Sequence, residues 1–235
     1  MHQSLVIIPT YNEKGNIENI IDAVLALDGD FDILVVDDNS PDGTADLVRA
    51  KMNQSKNRIH LLERKKKEGL GTAYIAGFRY ALSKNYEYIF EMDADFSHPP
   101  ADLIRLKQAC LNGADLSVGS RYVPGGRVSN WPFLRILMSY FASMYVRLVL
   151  WIKVMDATAG FVCYRDEVLQ TIDLDDIEFV GYAFQIEMKY AAIRKGFKLV
   201  EVPITFADRQ IGQSKMSMNI FTEAFFGVLK MRFKK

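Results

Sequence analysis

The feature that most constrains this chain is a repeated switch of hydrophobic period in its first half. Short apolar runs rich in β-branched residues stand at Leu5 to Ile8, Ile33 to Val36 and Ile59 to Leu62, with further runs at Tyr88 to Met92 and Leu116 to Gly119. Between them apolar residues recur at helical spacing, most clearly at Ile17, Ile20, Ile21, Val24 and Leu25, where Asn16 is the expected N-cap. Helices are likewise expected over 45–52, 71–82 and from the prolines at 99 and 100 to about Leu111. Strands with no polar alternation are buried on both faces, and strands alternating with helices make a mostly parallel sheet covered on both sides. The expected class is therefore α/β. The second half is less regular, with a strand near Phe161 to Tyr164, helices over 166–171 and 184–195, and a strand at Leu199 to Val202. No repeat or Pro/Gly-rich linker interrupts the 235 residues, so residues 1–235 are read as a single domain.

Sheets of this kind bind ligands beyond the carboxyl ends of their strands. Here those ends carry Thr10 to Glu13, Asp37 to Gly43, Asp93 to His98 and Ser120 to Tyr122. Several chemistries fall away. The 29 basic and 29 acidic side chains balance, which gives no global footprint for nucleic acid. Cys110 and Cys163 have no partners at metal-ligand spacing. No G-x-x-x-x-G-K-[ST] loop and no G-x-S-x-G elbow occurs. Gly69 and Gly71 start a G-x-G that lacks a third glycine and follows the basic run Arg64 to Lys67 in place of a strand.

Asp93 and Asp95 form a D-x-D pair at the end of a buried strand, where two carboxylates on an extended segment share one side and suit a divalent cation beside a diphosphate. The same spacing at Asp28, Asp30 and Asp32, and at Asp173 with Asp175, reads as ordinary loop carboxylates. Asp37 and Asp38 are equally consistent with an Asx turn and with recognition of a base or ribose.

From Phe133 to about Lys153 a helix is expected whose Arg135, Ser139, Ser143 and Arg147 make one narrow polar stripe among apolar residues. Such a helix either snorkels its arginines from a core position or presents guanidinium and hydroxyl groups to a phosphate while its flanks meet lipid. Its charges argue against a membrane span. The 218–235 segment reads as an apolar helix with a basic end, the composition of a membrane-surface anchor. No signal peptide is visible at the N-terminus. Arg209 and Lys215 lie in a polar, glycine-bearing loop that suits either solvent or a bound anion.

Taken together, P-T-Y-N-E at 9–13, V-D-D-N-S-P-D-G-T at 36–44, G-L-G-T-A-Y at 69–74 and M-D-A-D-F-S-H-P-P at 92–100 resemble one known family. S-R-Y at 120–122, D-A-T-A-G-F at 156–161, G-Y-A-F-Q-I-E at 181–187 and R-Q-I-G-Q-S-K-M at 209–216 extend the match along nearly the whole chain. The chain resembles the dolichol-phosphate (polyprenol-phosphate) mannosyltransferases, inverting glycosyltransferases of family 2 with the glycosyltransferase-A fold. The resemblance implies that Pro9, Tyr11, Glu13, Val36 and Asp38 hold the guanosine of GDP-mannose, and that Asp93, Ala94 and Asp95 lie against the diphosphate and its Mg²⁺ or Mn²⁺. It implies that Arg121, Arg209 and Lys215 surround the phosphates, so that these and Asp95 are the catalytic set. Arg121, Arg135 and Ser139 would then meet the acceptor phosphate of a polyprenyl or dolichyl lipid. Ser97 stands where some members have a metal-ligating Gln, and is a weaker ligand.

The resemblance further implies a peripheral enzyme at the cytoplasmic face of a membrane, with contact direct or through an anchoring partner. Two other readings stay open: a related transferase using a UDP-sugar such as UDP-glucose, and a non-catalytic nucleotide-binding subunit. A phosphate monoester is largely dianionic at neutral pH and needs no strong side-chain base, which agrees with the lack of a convincing His or Glu dyad.

Overall fold

The computed structural model describes residues 3–55, 57–208 and 218–234, with the backbone alone at Tyr182 and at 218–224. The first half alternates as its periodicity requires: β1 (Ser4–Thr10), α1 (Ile17–Leu25), β2 (Phe31–Asp37), α2 (Thr44–Met52), β3 (Ile59–Glu63), α3 (Leu70–Ser83), β4 (Tyr88–Glu91), α4 (Asp102–Leu111) and β5 (Leu116–Ser120). The second half contributes β6 (Arg127–Ser129), α5 (Phe133–Leu150), β7 (Val162–Arg165), α6 (Asp166–Thr171), α7 (Tyr182–Arg194), β8 (Leu199–Pro203), β9 (Thr205–Ala207) and α8 (Met218–Phe233).

Seven strands form one sheet in the order β3-β2-β1-β4-β7-β5-β8. All neighbours are parallel except β7, which runs antiparallel to both β4 and β5. Period-two alternation divides the core. Leu5, Ile7, Leu34 and Val36 pack with Tyr74, Phe78 and Phe184 of α3 and α7, whereas Val6, Ile8, Ile33 and Val35 pack with α1 and α4 on the other face. A smaller cluster joins Val146 and Leu150 of α5, Ile186 of α7, and Val228 and Met231 of α8.

Several local expectations are corrected. Asn16 makes no side-chain cap to α1: its backbone is already helical, at φ −114° and ψ −33°, where a capping residue is extended, and its amide donates to Glu13 Oε2 at 3.0 Å. Asp32 is no loop residue: it is buried in β2 and accepts the Tyr86 hydroxyl at 2.8 Å. The helix expected over 133–153 ends at Leu150, where Trp151 turns left-handed at φ 57°. The parallel ribbon of β6 and β9 was not foreseen, since three-residue strands carry too little periodicity to read.

Helix α5 buries Ser143, Val146 and Leu150 and leaves Phe133, Leu134, Met138, Phe141 and Leu148 exposed. Among the described residues it is the one helix long and apolar enough, by length and composition, to cross a membrane, and 17% of it is buried.

Close packing leaves no room for a side chain where α3 begins. A Cβ at Gly71 would stand 2.7 Å from the Phe184 ring and 2.8 Å from the Phe179 carbonyl oxygen. Backbone cannot yield as a flexible side chain does, so Gly71→Ala is expected to destabilise the fold by about 1–3 kcal/mol, measured by urea unfolding. A change within ~0.5 kcal/mol would contradict this packing.

Candidate active site

The carboxyl edge of the sheet opens into a cavity of about 500 Å³. Across that edge β2 delivers Asp38, β1 delivers Pro9, Tyr11 and Glu13, β4 delivers Asp93, Ala94, Asp95 and Ser97, and β5 delivers Arg121. Because β7 runs backwards, the segment that leads into it reaches the same edge, and Thr158 to Gly160 line the cavity. Helix α5 adds Arg135 and Ser139. Sequence positions more than a hundred residues apart are thereby gathered in one cleft.

The two aspartates at the end of β2 divide their work. Asp37 is the turn former: it accepts Thr10 Oγ1 at 2.7 Å, and the Ser40 amide and hydroxyl at 2.8 and 2.7 Å. Left-handed Asn39 and Gly43 shape the rest of that turn. Asp38 faces the cavity, and Arg64 holds its two oxygens at 2.5 and 2.8 Å. The same guanidinium donates to Thr72 Oγ1 at 2.7 Å, tying Asp38 to the start of α3. Lys67 lies 4.4 Å from the centroid of the Tyr11 ring, within cation–π reach. Arg64 and Lys67 were missed in the sequence, where their basic run served only as an argument against a dinucleotide loop. Val36 is corrected: its side chain is fully buried in the α3/α7 core layer and does not line the cavity.

The D-x-D pair is also corrected in its local form. Strand β4 ends at Glu91, so Asp93 and Asp95 lie in a turn that Phe96 closes at φ 60°. Asp95 is buried and accepts the Ser97 amide at 3.0 Å, whereas the Asp93 side chain is 41% exposed. His98 sits behind them, stacked on Phe161 at 4.9 Å, with its Nδ1 accepting the Asp93 amide at 3.3 Å. Among the described residues no three His, Cys, Asp or Glu side chains converge as a closed metal cage. Two hard carboxylates at a cavity mouth nevertheless suit Mg²⁺ or Mn²⁺, which take one or two protein carboxylates and complete their shell with phosphate oxygens and water.

Arg121 is held more firmly than its sequence context suggests. Its amide and Nε both donate to Asp156 Oδ2, at 2.9 and 2.7 Å, and Nη2 reaches Asp156 Oδ1 at 2.6 Å and Thr158 Oγ1 at 2.9 Å. Asp156 is completely buried and the Arg121 side chain is 8% exposed. Rings of Tyr122, Trp131 and Phe206 surround the guanidinium at 5.1–5.6 Å. Asp156 and Thr158 belong to D-A-T-A-G-F, a motif visible in the sequence without a strand to announce which of its residues face a site. Arg135 stacks on Trp131 at 3.9 Å and pairs with Asp208 at 3.2 Å. Arg209 and Lys215 lie outside the described residues.

The chain belongs to glycosyl transferase family 2, whose model matches residues 5–173, and its architecture is the glycosyltransferase-A fold. Over 226 residues it is 49% identical to the polyprenol monophosphomannose synthase of Mycolicibacterium smegmatis, covering 96% of this chain and 85% of that protein. It is 46% identical over 226 residues to the undecaprenyl-phosphate mannosyltransferase of Micrococcus luteus, covering 96% and 92%. Among solved structures it resembles a mannosyltransferase from Pyrobaculum calidifontis in complex with GDP-Man and Mn²⁺, with a TM-score of 0.62 over 97% of this chain and 69% of that one. At 16% identity that likeness speaks to the fold alone.

Two outcomes follow from this geometry. Asp156→Ala strands a buried guanidinium, so it should cost about 3–5 kcal/mol in denaturant unfolding. Burial brings the His98 imidazole down to about 4 from 6.5, so the folded chain takes up this proton less readily than the unfolded one. The stability it contributes is complete above pH 6.5 and is lost as the pH falls toward 4. His98→Gln should therefore flatten the decline of unfolding free energy over that window, and an unchanged slope would refute the assignment.

Proposed function

We propose that this protein transfers mannose from GDP-mannose to a polyprenyl or dolichyl monophosphate with inversion, giving polyprenyl phosphate β-mannose and GDP. The observation that carries the reading is the meeting, in one cavity, of Asp38, the Asp93 and Asp95 turn, and the Arg135 and Ser139 face of an outward-apolar helix. The names of the two relatives support a mannose donor and a polyprenyl phosphate acceptor.

The guanine assignment rests on the resemblance, and hydrogen-bond chemistry is compatible with it. An ionised carboxylate only accepts, and guanine offers a paired N–H donor edge that uracil lacks. Asp38, oriented by Arg64, suits that edge. Asp93 and Asp95 would hold the cation, with Ser97 at most a weak further contact. When bound, Mg²⁺ or Mn²⁺ supplies Lewis-acid charge to the departing diphosphate. Arg135 and Ser139 receive the acceptor phosphate and hold it in line with the anomeric carbon. The phosphate oxygen forms a bond to that carbon as the bond to the GDP oxygen breaks, and no proton need move. Arg121, held by Asp156, keeps the cavity wall rigid beside both anions, and Arg209 and Lys215, outside the described residues, would complete the cationic set.

Membrane contact is part of the proposal. The exposed apolar side chains of α5, with Phe225 and Phe226 of α8 beside them, suit a lipid surface at the cytoplasmic face, reached directly or through an anchoring partner.

The test is transfer of radiolabelled mannose from GDP-mannose to a short polyprenyl phosphate in detergent, with Mn²⁺ or Mg²⁺ and with EDTA. Metal-dependent mannolipid is the expected result, reduced about 100-fold or more in Asp95→Asn. Calorimetry should give tighter binding of GDP than of UDP. The reverse order, with UDP-glucose active in the parallel assay, would overturn the donor.

A further inference from the structure

A second set of charged groups lies behind the acidic turn, on the face of the sheet covered by α3 and α7. Phe90 packs into the opposite layer, so Glu91 points to this side. It stands two residues before Asp93 and is completely buried. The side-chain amide of Gln185 faces it, although among the described residues no hydrogen bond of ordinary geometry closes on either of its oxygens. Lys189 of α7 is completely buried as well. Its ammonium donates to the Ala159 carbonyl at 2.6 Å, to the Gln185 carbonyl at 2.9 Å and to Gln185 Oε1 at 3.3 Å, which uses all three of its donors. Ala159 and Gln185 both line the cavity.

Burial pushes the Glu91 carboxyl up and the Lys189 ammonium down, while each charge opposes the other's shift. A fold does not need such a pair. Apolar residues of similar volume are often neutral or stabilising in place of buried ionisable groups, so a lysine held here calls for a positional reason. The position supplies one. Lys189 is the link between α7 and the 159 backbone of the cavity floor, and that floor continues through Thr158 and Asp156 to Arg121.

We propose that Lys189 is a positioning residue for the donor site, anchoring the backbone of the cavity floor at Ala159 to α7. The proposal rests on the functional reading above and extends it to a residue that touches neither substrate. Lys189→Met removes the charge and the anchor at similar volume. It should weaken GDP binding in the presence of Mn²⁺ by about tenfold or more, and raise KM for GDP-mannose by a similar factor with a smaller change in kcat.

Because that variant leaves the buried Glu91 carboxyl without a polar neighbour on α7 and can fail to fold, the deciding protein is the double variant Glu91→Gln with Lys189→Met, in which neither buried group can carry charge. It should unfold at a temperature near that of the wild type yet still bind Mn²⁺ and GDP about tenfold more weakly by calorimetry. Wild-type affinity in the folded double variant would overturn the proposal and leave Lys189 as a purely structural group. If the wild-type protein binds neither Mn²⁺ nor GDP, the functional reading fails, and this inference with it.

Discussion

Two carboxylates organise the active edge of this molecule by holding backbone. Glu201 on β8 accepts the amides of Met155 and Asp156 at 2.7 and 2.9 Å, and Asp156 then accepts the amide and guanidinium of Arg121 at the exit of β5. Three strands are thus clasped at one end by charge-assisted hydrogen bonds, in a place where water is excluded. The desolvation of such groups offsets much of their attraction, so the clasp contributes geometry more than net stability. With it in place, the lead-in to β7 has one path across the edge, and the cavity has a floor.

The reversed direction of β7 is what makes this clasp possible. Were it parallel to its neighbours, its amino end would lie at the far side of the sheet, and Thr158 to Gly160 could not stand between Asp95 and Arg121. The same economy appears at the end of β2, where Asp37 satisfies backbone and hydroxyl donors of the turn so that Asp38 is left to face the cleft. At each strand end one acid builds and another is presented.

The fold was legible in the sequence because burial on two faces leaves uninterrupted apolar runs, and those runs located all seven strands of the main sheet. The direction of β7 was not, since four apolar residues read alike in either sense. Asp38, Asp93 and Asp95 were legible because each follows a strand. Asp156 and Thr158 precede one, and Arg64 and Lys67 sit in a basic stretch whose partners, Asp38 and Tyr11, are distant in sequence. The stripe of α5 was legible as a period-four pattern, but only packing decides that Arg135 and Ser139 face the cleft while Ser143 is buried in the interior. Lys189 left no trace in the pattern at all, because a lysine on an amphipathic helix is ordinarily read as solvated.

The pairing of Arg135 with Asp208 has a consequence for how an anion enters. The guanidinium rests on Trp131 and against a carboxylate that is part of the protein, so it is already turned and partly dehydrated before any lipid phosphate arrives. If Arg135 takes the acceptor phosphate as proposed, capture would be an ion exchange in which a doubly charged guest displaces a singly charged host group. Much of the attraction would be spent on releasing Asp208, which would keep the hold on the phosphate moderate. A phosphodiester product would carry one charge fewer, so the returning carboxylate would compete on nearly equal terms and favour its release.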